Sequence, residues 1–393
     1  MKRWNQVLIS TVIAGAILTG CGEGPKVNVN KQSETSINNS LEETTDHAKQ
    51  EDEIHEVKNG DHVKATLIDG VTIDTEIQLP DTGLSDVKKY RVVVDGFDGE
   101  KVIPNLFGSM PEEIQIQPGS EGEVATTYWY TGNLGEQWGN MEGTFSVGNN
   151  LTIYTEHWNK LNSNFPIVYE LGEIVLYGDD IQKEDFDFAT EEVVLQVVKQ
   201  YLKENVGLDS LNTKATYTFN YRQMQAVEAE YYNLPEDEQT KPISKESSIW
   251  GEQDNCYWII LEQLYHGIPI LSRRIIWQDD TYIPSVQIEA GYTAKGLEYI
   301  NIDNCFKEVG QESVNLLPME NIYEALRKKF ELVLINNITI NQMKLIYYPM
   351  PTGHSVNGKW EYDLVPVWQF CFQENEFNNY IYINAIDGIE IVG

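Results

Sequence analysis

An α+β fold, with antiparallel sheets each covered by a helix, is the class this 393-residue chain predicts. Most of its apolar runs are short and alternate with polar residues, the period-two pattern of half-buried strands. Two stretches, after Thr190 and after Pro318, repeat apolar residues at helical spacing instead. Hydrophobic residues make up 41% of the chain, enough for packed cores and too many for wholesale disorder.

The first element is an address. Met1-Lys2-Arg3 is a short positive segment, and Val7 to Leu18 is apolar except for one Ser and one Thr. A helix of that length rises only about 18 Å against about 30 Å of hydrocarbon, so it reads as a signal segment and not a membrane span. Leu18-Thr19-Gly20-Cys21 resembles the lipobox of bacterial lipoproteins. That resemblance implies cleavage of residues 1–20 and lipidation of the Cys21 sulfur, hence a lipid-anchored protein on the extracytoplasmic face of the cell membrane. Residues 21–60 read as a tether: they are rich in Asn, Ser, Thr, Glu and Lys, and no aromatic residue occurs between Trp4 and Tyr90. Such a segment buries too little apolar surface to offset its chain entropy.

Residues 61–180 are expected to form a small α+β domain. Strands flank the turn Asp69-Gly70, Tyr90 to Asp95 is a further strand, and Asp98 caps a short helix through Phe107 whose length Pro104 limits. Gly-Asn breaks between Val124 and Trp158 mark antiparallel strands. A second unit, 187–305, opens with Thr190 capping a helix whose stripe is Val193, Val194, Val197, Val198, Tyr201 and Leu202, stopped by Gly207. Strand 216–221 follows, then a polar excursion over 222–248. A hairpin comes next, with its tight turn at 266–269, then strands near 284–289 and 297–302. The third unit, 313–393, repeats the order. Pro318 opens a helix with Ile322, Ala325, Leu326, Phe330 and Val333 on one face; a strand at 338–348, a loop from Pro349 to Gly358 and a closing hairpin follow.

Two stretches carry a family resemblance. Glu262-Gln263-Leu264-Tyr265-His266-Gly267-Ile268-Pro269-Ile270 is similar to the Gly-Ile-Pro hairpin of PepSY-like and protease-propeptide domains. Leu364 to Trp368, with Tyr382 to Gly388, resembles the closing hairpin of PepSY domains and of related membrane-tethered regulators of cell-wall kinases. The chain as a whole is similar to uncharacterised lipoproteins of Gram-positive anaerobes. The resemblance covers about 190–393 and implies tandem PepSY-like units that bind or regulate an envelope protein without catalysis. Gln263, Tyr265, His266, Gly267, Ile268 and Pro269 are then the candidate partner surface.

The chemistry is sparse. With 61 acidic against 28 basic residues the formal charge is −33, a poor match for nucleic-acid phosphates. No His-Glu-x-x-His, Cys-x-x-Cys, Gly-x-Ser-x-Gly or nucleotide-binding glycine pattern occurs, and no cofactor or metal is implied. Asp95, Asp98 and Glu100 could ligate calcium but lack EF-hand spacing and read first as a turn. Cys256 and Cys305 could pair, although reduced core thiols are the default expectation, and Cys371 reads as a buried strand residue. The rival reading is a cell-wall hydrolase. It would use Glu136, Glu142 or Glu156 among Trp129, Tyr130, Trp138, Tyr154 and Trp158.

Overall fold

The computed structural model describes residues 57–393 apart from 81–82, 120–125, 166, 171–172, 177–183, 236–238, 240–248, 272–274, 277–281, 285, 332–336, 357–358, 375–376 and 393. The signal segment, Cys21 and nearly all of the tether lie outside the described residues. The chain starts with a hairpin, β1 (His62–Ile68) and β2 (Val71–Gln78), around Asp69-Gly70, and Gly70 supplies the φ of 79° that the turn needs. Next come β3 (Lys88–Asp95), α1 (Gly99–Phe107), β4 (Gln115–Gln117), β5 (Thr127–Asn133), β6 (Glu142–Val147), β7 (Leu151–Thr155) and α2 (Glu156–Asn162). A small hairpin, β8 (Ile167–Glu170) with β9 (Glu173–Leu176), precedes α3 (Glu191–Asn205), β10 (Leu211–Phe219) and α4 (Tyr221–Tyr232). The chain continues through β11 (Cys256–Tyr265), β12 (Ile268–Pro269), β13 (Ile275–Ile276), β14 (Tyr282–Ile283), β15 (Gln287–Thr293) and β16 (Gly296–Ile302). It closes with β17 (Cys305–Ser313), α5 (Met319–Glu331), β18 (Ile338–Val356), β19 (Lys359–Glu374), β20 (Phe377–Asn384) and β21 (Glu390–Ile391).

These strands build two large sheets. The first runs β1-β2-β18-β19-β20-β21, and β3 lies between β17 and the early part of β19. The second runs β10-β11-β15-β16-β7-β6-β5-β4, with β12 on β11. The blocks 61–180, 187–305 and 313–393 therefore do not own separate sheets. The chain lays down three strands of the first sheet, builds the second, and returns to finish the first. Local alternation of side chains cannot reveal this, because it records which face is buried and not which strand is adjacent. Nor is every pairing antiparallel: β2 runs parallel to β18, with Ile73 opposite Ile340 and Gln78 opposite Lys344.

The mixed α+β class holds. Ile322, Leu326 and Phe330 of α5 bury against Ile73, Trp368, Phe370 and Ile383 of the first sheet. Val194, Val198 and Leu202 of α3 do the same against Tyr257, Ile259, Ile288 and Ile300 of the second. The second sheet is covered on both faces, since Trp158 and Leu161 of α2 and Met224 of α4 pack with Trp258 and Ile260 on the other side. The expected stripe of α3 was too wide: Val193 and Val197 are exposed, because one sheet face accepts only one narrow row.

The helix expected from Asp98 through Phe107 is α1, with Pro104 inside it and a left-handed Gly108 after it, but Asp98 makes no side-chain cap and pairs with Lys101 instead. Three other local expectations are corrected. The excursion expected over 222–248 opens as a helix, as α4 starts in a capping box in which Asn220 and Gln223 bond reciprocally, and 236–238 and 240–248 lie outside the described residues. Strand β17 was unforeseen. The loop expected from Pro349 is instead the continuation of β18, with Pro349 opposite Leu364 and Pro351 opposite Tyr362. Beyond Lys344 that strand has lost β2 as its neighbour, so a missing proline N–H costs no ladder bond there.

Candidate functional site

The two sheets meet at the turn between β11 and β12. His266 and Gly267 take φ values of 49° and 81°, the pair of positive values that a two-residue turn of this hand requires. Ile270 bridges Tyr347 of β18 in parallel, and the Leu271 N–H donates to the Tyr347 carbonyl at 2.8 Å. Tyr265 meets the Tyr90 ring edge-on at 4.9 Å and donates its hydroxyl to Glu308 at 2.7 Å. Burial, and then that hydrogen bond, raise the Tyr265 phenol above its usual range. The His266 ring stacks on Tyr90 at 4.7 Å.

This placement narrows the expected partner surface. Gln263 is buried and donates to the carbonyls of Val286 and Asn304. Ile268 belongs to the core of the first sheet. Tyr265 and Pro269 are half-buried, so His266 and Gly267 are the members that stand exposed.

Beside the turn is a cavity of about 440 Å³. Its wall on the first sheet is a register row: Gln78 of β2 lies opposite Lys344 of β18, Lys344 opposite Gln369 of β19, and Gln369 opposite Tyr382 of β20. Facing residues share one side of a sheet, so these four side chains point away from α5. The second sheet contributes Asn212 and Glu262. Glu262 spans the gap to Lys344 at 3.6 Å and accepts from Asn212 at 2.9 Å. Among the described residues, Glu262 is the one carboxylate that lines this cavity.

The acids and aromatics between 128 and 158 do not assemble into one cleft. Trp138 and Trp158 are core residues, whereas Glu136, Glu142 and Glu156 are all exposed. A second cavity, of about 330 Å³, is lined by Tyr130 with the exposed neighbours Glu112 and Glu113.

Sequence reasoning missed a buried charge cluster. His157, the first-turn neighbour of the α2 cap Thr155, places Nδ1 2.8 Å from Glu298 and Nε2 2.9 Å from Asp254. The Glu298 side chain is fully buried and also accepts from the hydroxyls of Thr155, at 2.5 Å, and Thr293. Asp254 accepts from the Gly251 N–H at 2.9 Å. Burial opposes the imidazolium, but its hydrogen bonds to Asp254 and Glu298 outweigh that and hold the His157 pKa above its ordinary value. Burial likewise works against both carboxylates, and their bonds to His157 win and keep them below the usual range. With both ring nitrogens committed, the cluster is a clamp joining α2, the 3-10 turn at Glu252–Asp254 and β16. Its partners are 97 and 141 residues from His157 along the chain, beyond any local motif.

The remaining candidates are occupied structurally. Asp98 pairs with Lys101, and Asp95 with Lys307 and Lys359. Among the described residues no group of three or more His, Cys, Asp or Glu is arranged to hold a metal ion. Cys256 and Cys305 remain thiols; burial, and then Asp95, push the Cys305 thiol up to about 12. Among the described residues no helix is long and apolar enough to cross a membrane.

No family model matches the chain, and no curated protein does. Among solved structures it is similar to an uncharacterized protein from Eubacterium rectale ATCC 33656, at 16% identity and a TM-score of 0.58. That likeness covers 84% of this chain and 93% of the other, and it is a likeness of fold.

Proposed function

We propose that the protein is a non-enzymatic binding or regulatory module of the cell envelope, anchored by lipid on Cys21, with PepSY-like units that contact an envelope protein. The observation that carries this reading is the anchored turn at the sheet junction. Its flanks are fixed by both sheets, while His266 and Gly267 stand exposed at the tip. A tip held rigid before contact loses little entropy on binding, which favours recognition. The hydrolase reading is the weaker one, because its tryptophans 138 and 158 are core residues and its three glutamates are exposed.

The test is a pull-down from detergent-solubilised envelope with the unit Ile54–Gly393, with wall polymer assayed in parallel. Capture of one membrane protein, lost on His266→Asp with the polymer intact, supports the module. Polymer cleavage that disappears on Glu-to-Gln changes at 136, 142 or 156 refutes it. The anchor is checked separately by metabolic lipid labelling, which should reach the full chain and be absent from Cys21→Ala.

A further inference from the structure

We propose that the cavity between the two sheets binds a neutral, polyhydroxylated small molecule of sugar size, through the row Gln78, Lys344, Gln369 and Tyr382. This site is independent of any protein partner at the turn. Its volume, about 440 Å³, falls within the range of small-molecule sites.

The lining sets the chemistry. Gln78, Asn212, Gln342 and Gln369 bring four side-chain amides to one cavity. Each amide offers a donor and an acceptor side by side, the pairing that adjacent hydroxyls on a ring satisfy. Three formal charges line the cavity, two lysines and one glutamate: Lys344 faces Glu262, which also accepts from Asn212, and Lys214 is not free. A net anion would meet Glu262, and a net cation would meet Lys344. A neutral ligand meets neither penalty.

An independent observation points into the same place. Gln369 is only 5% exposed, and its amide nitrogen donates to the Tyr382 hydroxyl at 3.3 Å. Its carbonyl oxygen is buried and accepts no hydrogen bond. Native proteins seldom leave a buried acceptor unpaired, and because Gln369 lines the cavity, a small rotation of its amide presents that oxygen to a donor from outside. A ligand hydroxyl supplies that donor. Tyr380 and Tyr382, two apart on β20, bring aromatic rings beside the amides. Rings whose C–H faces are apolar and whose edges are hydroxylated match that mixture.

The test is calorimetric titration of the full chain, held in a detergent without a sugar headgroup. The probes are glucose, N-acetylglucosamine, maltose and cellobiose, with glutamate and inorganic phosphate as charged comparisons. At least one saccharide should bind one to one, and Gln369→Leu and Gln78→Ala should each weaken it about tenfold, the loss expected for one hydrogen bond. Gln369→Leu removes an unpaired acceptor, so its melting temperature should equal or exceed that of the parent chain. Gln78 is exposed, so its loss leaves the fold intact and keeps the test readable. Binding of glutamate or phosphate alone, binding of none of the six, or saccharide affinity unchanged in both variants would overturn the proposal.

Discussion

His157 shows how a buried charge survives in this protein: each of its ring protons has an acceptor, and each acceptor is itself hydrogen-bonded from elsewhere. His157→Ala would leave Asp254 and Glu298 as buried carboxylates without their cation. We expect a loss of about 3–5 kcal/mol in urea denaturation, the range for breaking a buried pair from one side. The cluster also sets a pH window. His157 has a raised pKa in the folded state, so its contribution is full below the ordinary 6.5 and fades as pH rises through the folded value. The two carboxylates have lowered values, so theirs is full above the ordinary 4.5 of Glu298 and fades as pH falls through the folded values. The stability difference between the parent chain and His157→Ala should therefore peak between pH 4.5 and 6.5. A difference that stays flat from pH 4 to 9 in denaturation curves would show that the clamp is not ionic.

At the scale of elements, close approach decides which substitutions the fold tolerates. The Trp158 ring of α2 lies over Gly291 of β15, where an added Cβ would fall 2.3 Å from the ring. Gly291→Ala should cost about 1–3 kcal/mol by overpacking, measured as a shift in denaturation midpoint. Val197→Glu, on the exposed flank of α3, should change stability by no more than about 0.5 kcal/mol. Elements with a local signal were legible in the sequence. Thr190 caps α3, Asp69-Gly70 turns the first hairpin, and Pro318 opens α5. Helix α4 had a signal too, the Asn220 and Gln223 spacing, but the charged stretch around it masked the pattern. The full length of β18 had none: Pro349 and Pro351 argue locally for a loop, and only the neighbours β2 and β19 decide otherwise.

At the scale of the whole molecule, the order in which the chain visits its sheets has consequences. Strands β1 to β3 lie in the sheet that α5 covers, so a fragment 313–393 lacks neighbours on both sides of its long hairpin. Fragment 187–305 likewise lacks the β7 partner of β16. Each should show little ordered structure by circular dichroism alone, while Ile54–Gly393 should unfold in a single cooperative transition. Independent folding of either fragment would mean that the interleaved strands are dispensable. The same interleaving explains why the site was only half readable. The turn 266–269 is a local motif, whereas the cavity wall joins residues as far apart as Gln78 and Lys344.

Photo-crosslinking in cells reads contact at the exposed turn, with a photoreactive side chain at position 266 of the lipidated full chain and, as control, at exposed Val193. Position 266 should give one discrete adduct with an envelope protein, and position 193 none. No adduct from 266, or the same products from both positions, would contradict the module reading.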